Sequence, residues 1–419
     1  KNKQRVMTPS KMMKILVINT GSSSIKYQLF DMTAHAVLAH GLVERIGESG
    51  SRLKHFDQND AERIIETDIP NHERGLSELV QLLQADDSDD SPVQAIGHRV
   101  VHGGEAFHEP TLIGEKVIQA IEEYIPLAPL HNPPNLIGIR AAGTHFPGIP
   151  QVAVFDTAFH QSIPAHAYRY AIPKEYYETL KIRRYGFHGT SHQYVARQAA
   201  LFLNKPLCEL NAITIHLGNG CSMTAIENGK SIDTSMGMTP LEGLIMGTRC
   251  GDVDPALHGY LLANQDESHL SSIQDVDKVL NKGSGLKGLT GTNDMRDVFR
   301  MRDEEGNEDA KLAVDMVAYR IKKYIGAYFA ALGGKMDAII FTAGVGENAA
   351  PLRELALSNL EPFGIVVDAD KNSSARQTKG PVVEFQAATS SVNLFVIPTN
   401  EELEIATQTV QVVNSIETS

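Results

Sequence analysis

The chain of 419 residues is long enough for two domains with separate cores, and its 42% hydrophobic and 21% charged residues are typical of a globular protein. Its formal net charge of −13 argues against binding to nucleic acid or to an anionic membrane, since both need clustered lysine and arginine. Three scattered cysteines (Cys208, Cys221, Cys250) make no disulfide framework and favour a reducing cytoplasm, and no apolar run reaches the roughly 18 residues of a membrane span.

The first predicted element is a hairpin. Residues 1–12 are polar and basic, and we interpret them as an extension or an expression remnant outside the fold. The β-branched run Ile15–Ile18 ends in Asn19, Gly21 and three serines before apolar alternation resumes at Ile25. Backbone amides in such a turn can face an anion, and Asn19 can give an oxygen to hydrated Mg²⁺. Gly-Ser turns also close ordinary hairpins, so the turn alone leaves both interpretations open.

Strand-like and helix-like runs alternate after this hairpin, which predicts α/β layers with mixed sheets. The clearest are strands at 93–101 and 152–155 and helices at 76–83 and 117–124. An acidic stretch at 84–92 predicts a solvated loop. Farther along, residues 309–332 have the periodicity of a buried helix that stops at two glycines.

A second copy of the hairpin pattern occurs at 213–226, where a strand, a Gly-Asn-Gly turn and another strand follow one another. A third phosphate-type loop follows the apolar strand within 337–348. Two related hairpins about two hundred residues apart predict a duplicated domain that binds a nucleotide between its halves. A Walker A pattern and a strand-linked G-x-G-x-x-G are both absent from the sequence, which argues against a P-loop protein and weakens a dinucleotide interpretation.

Seven motifs together resemble the acetate kinase family. They are VINTGSSSIK (17–26), HNPPN (131–135), GFHGTSH (186–192), HLGNGCS (216–222), GTRCGD (247–252), AGVGEN (343–348) and PTNEE (398–402). The resemblance runs from Met13 to about Thr407. It implies an α/β fold of two duplicated ribonuclease-H-like (actin-like ATPase) domains with a nucleotide cleft between them. It places the first domain at 13–160 plus 396–419, including a returning C-terminal helix from Glu401 to about Val413, and the second at 161–395.

The resemblance implies reversible, Mg²⁺-dependent transfer of the γ-phosphoryl group of ATP to acetate, with Mn²⁺ as a substitute ion and a cytoplasmic homodimer as the assembly. A propionate or other short-chain acyl kinase is the alternative within this class. A non-catalytic ATP-binding module is the alternative from another class, but such a module would not need two glycine-bounded arginines and an apolar acyl pocket. No nucleic acid or membrane partner is expected.

The catalytic residues implied by the resemblance are Arg99, Asp156, His188 and Arg249. Guanidinium forks suit carboxylate and phosphoryl oxygens, and each arginine follows or sits in a glycine-bounded turn. Asp156 ends a strand, where α/β sites gather. Because a carboxylic acid is already ionised near pH 7, we expect Asp156 to orient an arginine or a metal-bound water rather than to remove a proton. His192 could pair with His188 in a zinc site, but no third ligand supports that, and a structural role is favoured.

The remaining site residues also follow from the resemblance. The Mg²⁺ ligands are Asn19 and Glu401, and the adjacent Glu402 should face elsewhere. The acyl pocket comprises Arg99, Val101, Leu130, His131, Phe187 and Pro240, with Val101 favouring acetate over larger acids and His131 contacting substrate or positioning Arg99. The ATP-binding residues are Lys26, His216, Leu217, Gly218, Asn219, Gly220, Asp294, Met295, Arg296, Gly344, Val345, Gly346, Glu347 and Asn348.

Overall fold

A computed structural model describes residues 13–86, 92–378 and 380–417. The predicted extension at 1–12 and residues 87–91 of the predicted acidic loop lie outside these ranges. The chain separates into two compact units, one running up to Ala158 and resuming at Asn400, the other comprising Phe159–Thr399. Within the described ranges, no helix combines the length and the apolar character needed to cross a membrane.

The strands are β1 (Lys14–Thr20), β2 (Ser24–Asp31), β3 (Ala36–Glu44), β4 (Arg52–Asp57), β5 (Glu62–Glu66), β6 (Ala95–Val100), β7 (Thr111–Leu112), β8 (Gln151–Phe155), β9 (Ala212–Leu217), β10 (Cys221–Glu227), β11 (Lys230–Thr234), β12 (Ala338–Thr342), β13 (Val383–Glu384) and β14 (Asn393–Val396).

The α-helices are α1 (His72–Asp86), α2 (Glu115–Glu123), α3 (Asn132–His145), α4 (Ala165–Tyr168), α5 (Lys174–Leu180), α6 (Gly189–Phe202), α7 (Leu257–Ala263), α8 (Gln265–Ser268), α9 (Ile273–Lys282), α10 (Gly285–Thr290), α11 (Met295–Asp303), α12 (Glu308–Ala331), α13 (Ala343–Asn348), α14 (Ala350–Leu357), α15 (Ala369–Ser374) and α16 (Glu401–Glu417). Short 3₁₀ turns occur at Ile125–Leu127, Ala158–Ser162, Leu207–Glu209 and Glu361–Phe363.

The first unit is built on an eight-stranded sheet of order β5-β4-β3-β2-β1-β6-β8-β7. The hairpin of β1 and β2 is antiparallel and places Asn19 opposite Lys26, whereas β1, β6 and β8 run parallel. The carboxyl ends of those three strands therefore meet at one edge of the sheet. Helix α16 packs closely on β6, since a Cβ added at Gly97 would lie 2.5 Å from Thr409 Oγ1. A residue with a side chain at position 97 would clash with α16.

The second unit contains a six-stranded sheet of order β11-β10-β9-β12-β14-β13. Its hairpin of β9 and β10 is antiparallel, and β9, β12 and β14 run parallel. The order of three antiparallel and then two parallel strands is the same as β3-β2-β1-β6-β8 in the first unit. The predicted duplicated fold is confirmed. The core of this sheet is apolar, and Ile213 on β9, Phe341 on β12 and Phe395 on β14 are examples of its fully buried side chains.

Two predicted elements differ in detail. The predicted third phosphate loop turns directly from β12 into the helix α13, so the backbone of Ala343–Asn348 is helical. Ala343 begins this turn with a φ of 65°, a strained angle for a residue with a Cβ. The C-terminal helix continues to Glu417, beyond the predicted end at Val413, and residues 414–416 of this extension are exposed. Its buried residues, such as Ile405 and Val413, pack on the sheet.

Candidate active site

Arg99 and Asp156 form the centre of a polar cluster in the first unit. Arg99 is near the end of β6 and Asp156 directly follows the neighbouring strand β8, so the parallel sheet brings them together. Arg99 Nε donates to Asp156 Oδ1 at 3.0 Å and Nη2 donates to Oδ2 at 2.5 Å. The Asp156 side chain is 1% exposed and that of Arg99 is 23% exposed. The buried carboxylate therefore orients the guanidinium in a two-bond geometry and leaves part of it accessible.

Asn19 and Glu401, the predicted metal ligands, lie against the same guanidinium. Arg99 Nη1 is 3.5 Å from Asn19 Oδ1, and Nε is 4.0 Å from Glu401 Oε2. Burial alone would lower the pKa of Arg99, but the carboxylates of Asp156 and Glu401 outweigh it and raise that pKa. Burial raises the pKa of Glu401, and Asp156 and Glu402 raise it further while Arg99 opposes them. The cluster thus concentrates acidic oxygens around one fixed cation.

Lys26 and Glu402 form a separate ion pair in this unit. Lys26, a predicted phosphate contact, is on the return strand of the first hairpin, and Glu402 is in the first turn of α16. Consecutive residues of a helix face different directions, so Glu401 is near Arg99 while Glu402 reaches Lys26. The two adjacent glutamates therefore lie beside different cations, Glu401 beside Arg99 and Glu402 beside Lys26.

The HNPPN motif contains two buried asparagines that sequence reasoning did not single out. Asn135 Oδ1 accepts from the Val101 backbone N–H at 3.1 Å, and its amide donates to the Thr20 carbonyl at 2.9 Å. Asn132 exchanges hydrogen bonds with the backbone N–H and C=O of His102. These amides connect the start of α3 to the strand ends that carry the polar cluster. In the sequence, the only signal for these hydrogen bonds is the position of two asparagines in the first turn of a helix.

The predicted acyl-pocket residues divide between the units. Val101 directly follows β6 and is buried, whereas Leu130 is 64% exposed. His131 is the half-buried residue before α3. Phe187 and Pro240 belong to the second unit, where Phe187 is buried and Pro240 is half-buried. A single exposed leucine is ordinary on a protein surface, so the exposure of Leu130 does not by itself indicate a pocket.

His188 is the key polar residue of the second unit. It precedes α6 with left-handed backbone angles, φ 57° and ψ 24°, which are uncommon for a residue with a side chain and are found at functional sites. Its ring stacks on that of His216, with centroids 4.1 Å apart. His188 Nδ1 lies 2.9 Å from Ser222 Oγ, and His216 Nδ1 lies 2.8 Å from Ser191 Oγ. The strands and α6 thus fix both rings.

His192, one turn into α6, is fully buried behind His188. Its ring nitrogens lie 2.7 Å from Thr214 Oγ1 and 2.7 Å from Ser222 Oγ. Burial lowers the pKa of His192 well below its ordinary value. Among the described residues, no group of three or more His, Cys, Asp or Glu side chains is arranged to hold a metal. The ring is therefore committed to the internal hydrogen bonds.

Arg249 faces the same small volume as His188. Its Nη1 donates to the Pro240 carbonyl at 3.3 Å, and within the described ranges no carboxylate lies at ion-pair distance from it. Burial lowers the pKa of Arg249. An ideal Cβ built on Gly220 would lie 3.3 Å from both Arg249 Nη1 and His188 Nε2. Because Gly220 has no left-handed φ, its missing side chain matters for space rather than for backbone freedom.

A cavity of about 430 Å³ lies in the second unit. Eight of the predicted nucleotide residues line it: Gly218, Asn219, Asp294, Met295, Arg296, Gly344, Val345 and Asn348. Four lining residues were not predicted: Phe299, Ala349, Pro351 and Arg376. The lining combines two glycines and the N-terminal turns of α11 and α13 with apolar side chains, which suits a ligand with phosphates and a flat ring.

Leu217, Gly346 and Glu347 do not line this cavity. Leu217 lines a small neighbouring space of about 20 Å³, and a Cβ on Gly346 would face the Ile215 carbonyl at 3.6 Å. Glu347 Oε1 accepts from the Thr399 backbone N–H at 3.4 Å, and burial raises its pKa. His216 and Gly220 belong to the His188 cluster.

Arg353, which was not predicted, supports the α13 turn from below. It is 1% exposed, and its Nη1 donates to the carbonyls of Gly346 at 2.8 Å and Glu347 at 3.0 Å. Its Nε and Nη2 donate to the side chain and backbone of Asn372. Burial lowers the pKa of Arg353 to about 10. The guanidinium thus donates hydrogen bonds to carbonyls at the C-terminal end of this short helix, which have no partner within the helix.

The chain is similar over nearly its whole length to known proteins. The sequence profile described as "Acetokinase family" matches residues 14–407. An acetate kinase of Halothermothrix orenii is 54% identical over 408 residues, which cover 96% of this chain and 100% of the relative. A crystal structure of Porphyromonas gingivalis acetate kinase aligns with a TM-score of 0.90 at 44% identity, and one of a Francisella tularensis propionate kinase aligns with 0.88 at 41%. Each alignment covers 96% of this chain and 100% of the other.

Proposed function

The chain belongs to the acetokinase family, and we propose that it transfers the γ-phosphoryl group of ATP reversibly to acetate, giving acetyl phosphate and ADP. One observation carries the proposal. Arg249 lacks a carboxylate partner among the described residues. Its Nη1 and His188 Nε2 both border the small space that a Cβ on Gly220 would occupy, which we call the hollow over Gly220. That hollow is next along the chain to Gly218 and Asn219, which line the cavity. A cation and an imidazole aimed at one small volume suit the charge of a transferring phosphoryl group.

The transfer we propose is a direct in-line displacement. An acetate oxygen forms a bond to the γ-phosphorus while the bond to the β,γ-bridging oxygen breaks, and ADP leaves with that electron pair. Acetate is ionised near neutral pH, so no base has to remove a proton from it. Asp156 therefore acts by holding Arg99 with two hydrogen bonds, and Arg99 binds the acetate carboxylate or the transferring group.

Asn19 and Glu401 fit the magnesium ion that the family resemblance implies. An amide oxygen and a carboxylate are the hard ligands that Mg²⁺ prefers, and both lie against Arg99. Mg²⁺ commonly uses one or two protein oxygens with water and substrate phosphates, and when bound it neutralises phosphate charge. Mn²⁺ is the proposed substitute. In a titration of activity with Mg²⁺, Asn19→Ala should need more ion for half-maximal rate, and an unchanged titration would remove Asn19 from the site.

The alternatives differ in what they predict for a coupled ADP-release assay with acetate, propionate and butyrate. The proposal predicts the highest kcat/KM for acetate, with propionate weaker and butyrate weakest. A preference for propionate would favour the alternative acyl kinase, which the likeness to a propionate kinase structure keeps relevant. No release of ADP with any of the acids, while ATP still binds, would favour a non-catalytic ATP-binding module.

We also propose a cytoplasmic homodimer. Cys208, Cys221 and Cys250 are all free thiols, which suits a reducing compartment. The dimer follows from the family resemblance, and sedimentation equilibrium of the full chain tests it: a single species of the monomer mass would contradict it.

A further inference from the structure

A chain of three buried side chains leads from His188 into the sheet of the second unit. Ser222 Oγ lies 2.9 Å from His188 Nδ1 and 2.7 Å from His192 Nε2. The other ring nitrogen of His192, Nδ1, lies 2.7 Å from Thr214 Oγ1. Ser222, His192 and Thr214 are each 0% exposed, so their polar atoms have to satisfy one another.

The number of protons in this chain of hydrogen bonds is limited. Burial, together with the neighbouring His160 and His216, holds the pKa of His192 far below its ordinary value, so the ring is neutral and carries one N–H. Ser222 has one hydroxyl proton, so it donates to one ring nitrogen and accepts from the other. The tautomers of a neutral His188 and of His192 are therefore coupled: both rings carry the proton on Nε2, or both carry it on Nδ1.

Thr214 distinguishes the two arrangements. If both rings carried the proton on Nδ1, His192 would donate to Thr214, and the Thr214 hydroxyl proton would be buried with no other acceptor among the described residues. If both carry it on Nε2, Thr214 donates to His192 Nδ1, His192 donates to Ser222, and Ser222 donates to His188 Nδ1. The buried protons of Thr214, His192 and Ser222 then each have an acceptor, and burying an unsatisfied donor is costly.

We propose that Thr214, His192 and Ser222 are positioning residues that hold His188 as its Nε2–H tautomer. Nε2 is the ring nitrogen that faces the hollow over Gly220, together with the adjacent Cε1, and Arg249 Nη1 also points there. A neutral imidazole fixed in this way donates a hydrogen bond to a phosphoryl oxygen without first taking up a proton. The tautomer itself does not depend on the proposed function, whereas its effect on turnover does.

The tautomer can be measured on the full chain without ligand. In ¹⁵N-histidine-labelled protein near pH 7.5, long-range ¹H–¹⁵N spectra distinguish protonated from unprotonated ring nitrogens, and His188→Gln assigns the His188 signals. We expect an unprotonated Nδ1 and a protonated Nε2. Ser222→Ala and Thr214→Val should both raise the population of the other tautomer, and Thr214→Ser should restore the original spectrum. A protonated Nδ1 in the unmodified chain, or unchanged signals in both variants, would overturn the inference.

Kinetics supply the second test. Ser222→Ala should lower kcat about tenfold and leave the KM values for ATP and acetate within about threefold. In a His188→Ala background, the same change should have almost no further effect, because Ser222 acts through His188. Equal losses in both backgrounds would overturn the positioning role. An unmodified chain that forms no acetyl phosphate would instead contradict the proposed function, while the spectra would still test the tautomer.

Ser231→Ala is the matched control. Ser231 is also fully buried, and its Oγ lies 2.9 Å from a buried histidine nitrogen, His160 Nδ1. Within the described part of the chain its hydrogen bonds go to His160 and Ser162 and none goes to His188. We expect Ser231→Ala to lower the melting temperature about as much as Ser222→Ala while kcat stays within about twofold. A tenfold loss of kcat in Ser231→Ala would show that any cavity behind α6 slows the enzyme, which would overturn the inference.

Discussion

The two units hold Arg99 and Arg249, the two arginines predicted to be catalytic, in opposite electrostatic surroundings. In the first, Arg99 makes two hydrogen bonds to a carboxylate and lies near Glu401, so its charge is compensated before any substrate arrives. In the second, Arg249 is held by the Pro240 carbonyl and the Met246 sulfur, at 3.3 Å and 3.7 Å, and burial lowers its pKa. Arg99 is thus oriented by charge, whereas Arg249 has no compensating carboxylate among the described residues, which suits the proposed binding of an anion there.

This difference teaches that one sheet topology supports two kinds of polar site. Both sites gather where parallel strands end, because their carboxyl ends share an edge. The first unit adds acidic residues from the start of α16, and the second adds histidines from the start of α6. The carboxyl and amide oxygens around Arg99 suit a metal ion, and the Arg99 guanidinium suits a carboxylate. A cation beside imidazoles, with no carboxylate partner among the described residues, suits phosphoryl oxygens.

The largest expected effect is on turnover. Arg249→Ala and Arg99→Ala should each lower kcat by roughly 10²–10³, or about 3–4 kcal/mol, because each removes a preorganised donor to the reacting groups. The KM for ATP should stay within a few-fold. Steady-state kinetics in the ADP-release assay give both values, and near-normal turnover in either variant would remove that arginine from the mechanism.

The two arginine variants should then differ in stability. Arg99→Ala leaves Asp156 buried without its partner, which should lower the free energy of unfolding by about 3 kcal/mol, the lower end for a broken buried pair. Arg249→Ala strands no charge and should cost under about 1 kcal/mol. Urea unfolding measures both, and Arg99→Ala/Asp156→Ala should recover stability without activity. Equal losses in the two single variants would contradict the proposed contrast.

The sequence predicted much of this arrangement because its signals are local. Hairpins, strand ends and glycine turns depend on neighbouring residues, and the seven motifs led to the family that the comparisons confirm. Arg353 was missed because a buried arginine and an exposed one look alike in a sequence. Its partner Asn372 is 19 positions away, and only the packing of α14 against α15 brings them together.

The same reasoning applies to the predicted phosphate-type loop at 343–348. Its glycines follow an apolar strand, as predicted, but its backbone is helical: β12 turns straight into a helix whose C-terminal carbonyls Arg353 satisfies. Nothing in the sequence of 343–348 itself indicates these hydrogen bonds from Arg353. Which groups share the hollow over Gly220 was also unpredictable, since His188 and Arg249 are separated from it along the chain and meet only through the sheet.

Filling that hollow should have an intermediate effect. Gly220→Ala places a methyl 3.3 Å from Arg249 Nη1 and His188 Nε2, where we expect a phosphoryl oxygen. Turnover should fall ~30-fold, or about 2 kcal/mol, while the melting temperature changes little because the glycine needs no left-handed φ. Gly326→Ala on α12, where a Cβ meets nothing within 4 Å, is the control and should be as active as the unmodified chain. Full activity in Gly220→Ala would show that the hollow holds no reacting atom.

The smallest expected effect concerns the acyl substrate in the first unit. Val101 is 6% exposed and follows Arg99 by two residues just beyond the end of β6, and its backbone N–H donates to Asn135 Oδ1, which fixes the backbone at this position. Val101→Ala shortens this side chain and so enlarges the proposed acyl pocket. A difference of one methylene in an apolar pocket changes substrate discrimination by about 1–3 kcal/mol, or roughly 10–200-fold. We expect the ratio of kcat/KM for propionate to that for acetate to rise by about tenfold, at the low end, mostly through KM.

Val152→Ala is the matched control for this change, because it removes the same side-chain atoms from a fully buried position of β8. It should lower stability and leave the substrate ratio unchanged, since the loss lies in the sheet core with no role in acid binding. A ratio that rises equally in both variants would mean that loosening the unit relaxes selectivity. An unchanged ratio in Val101→Ala would mean that another residue sets the pocket size, and Leu130, exposed in the same unit, would be the next side chain to change.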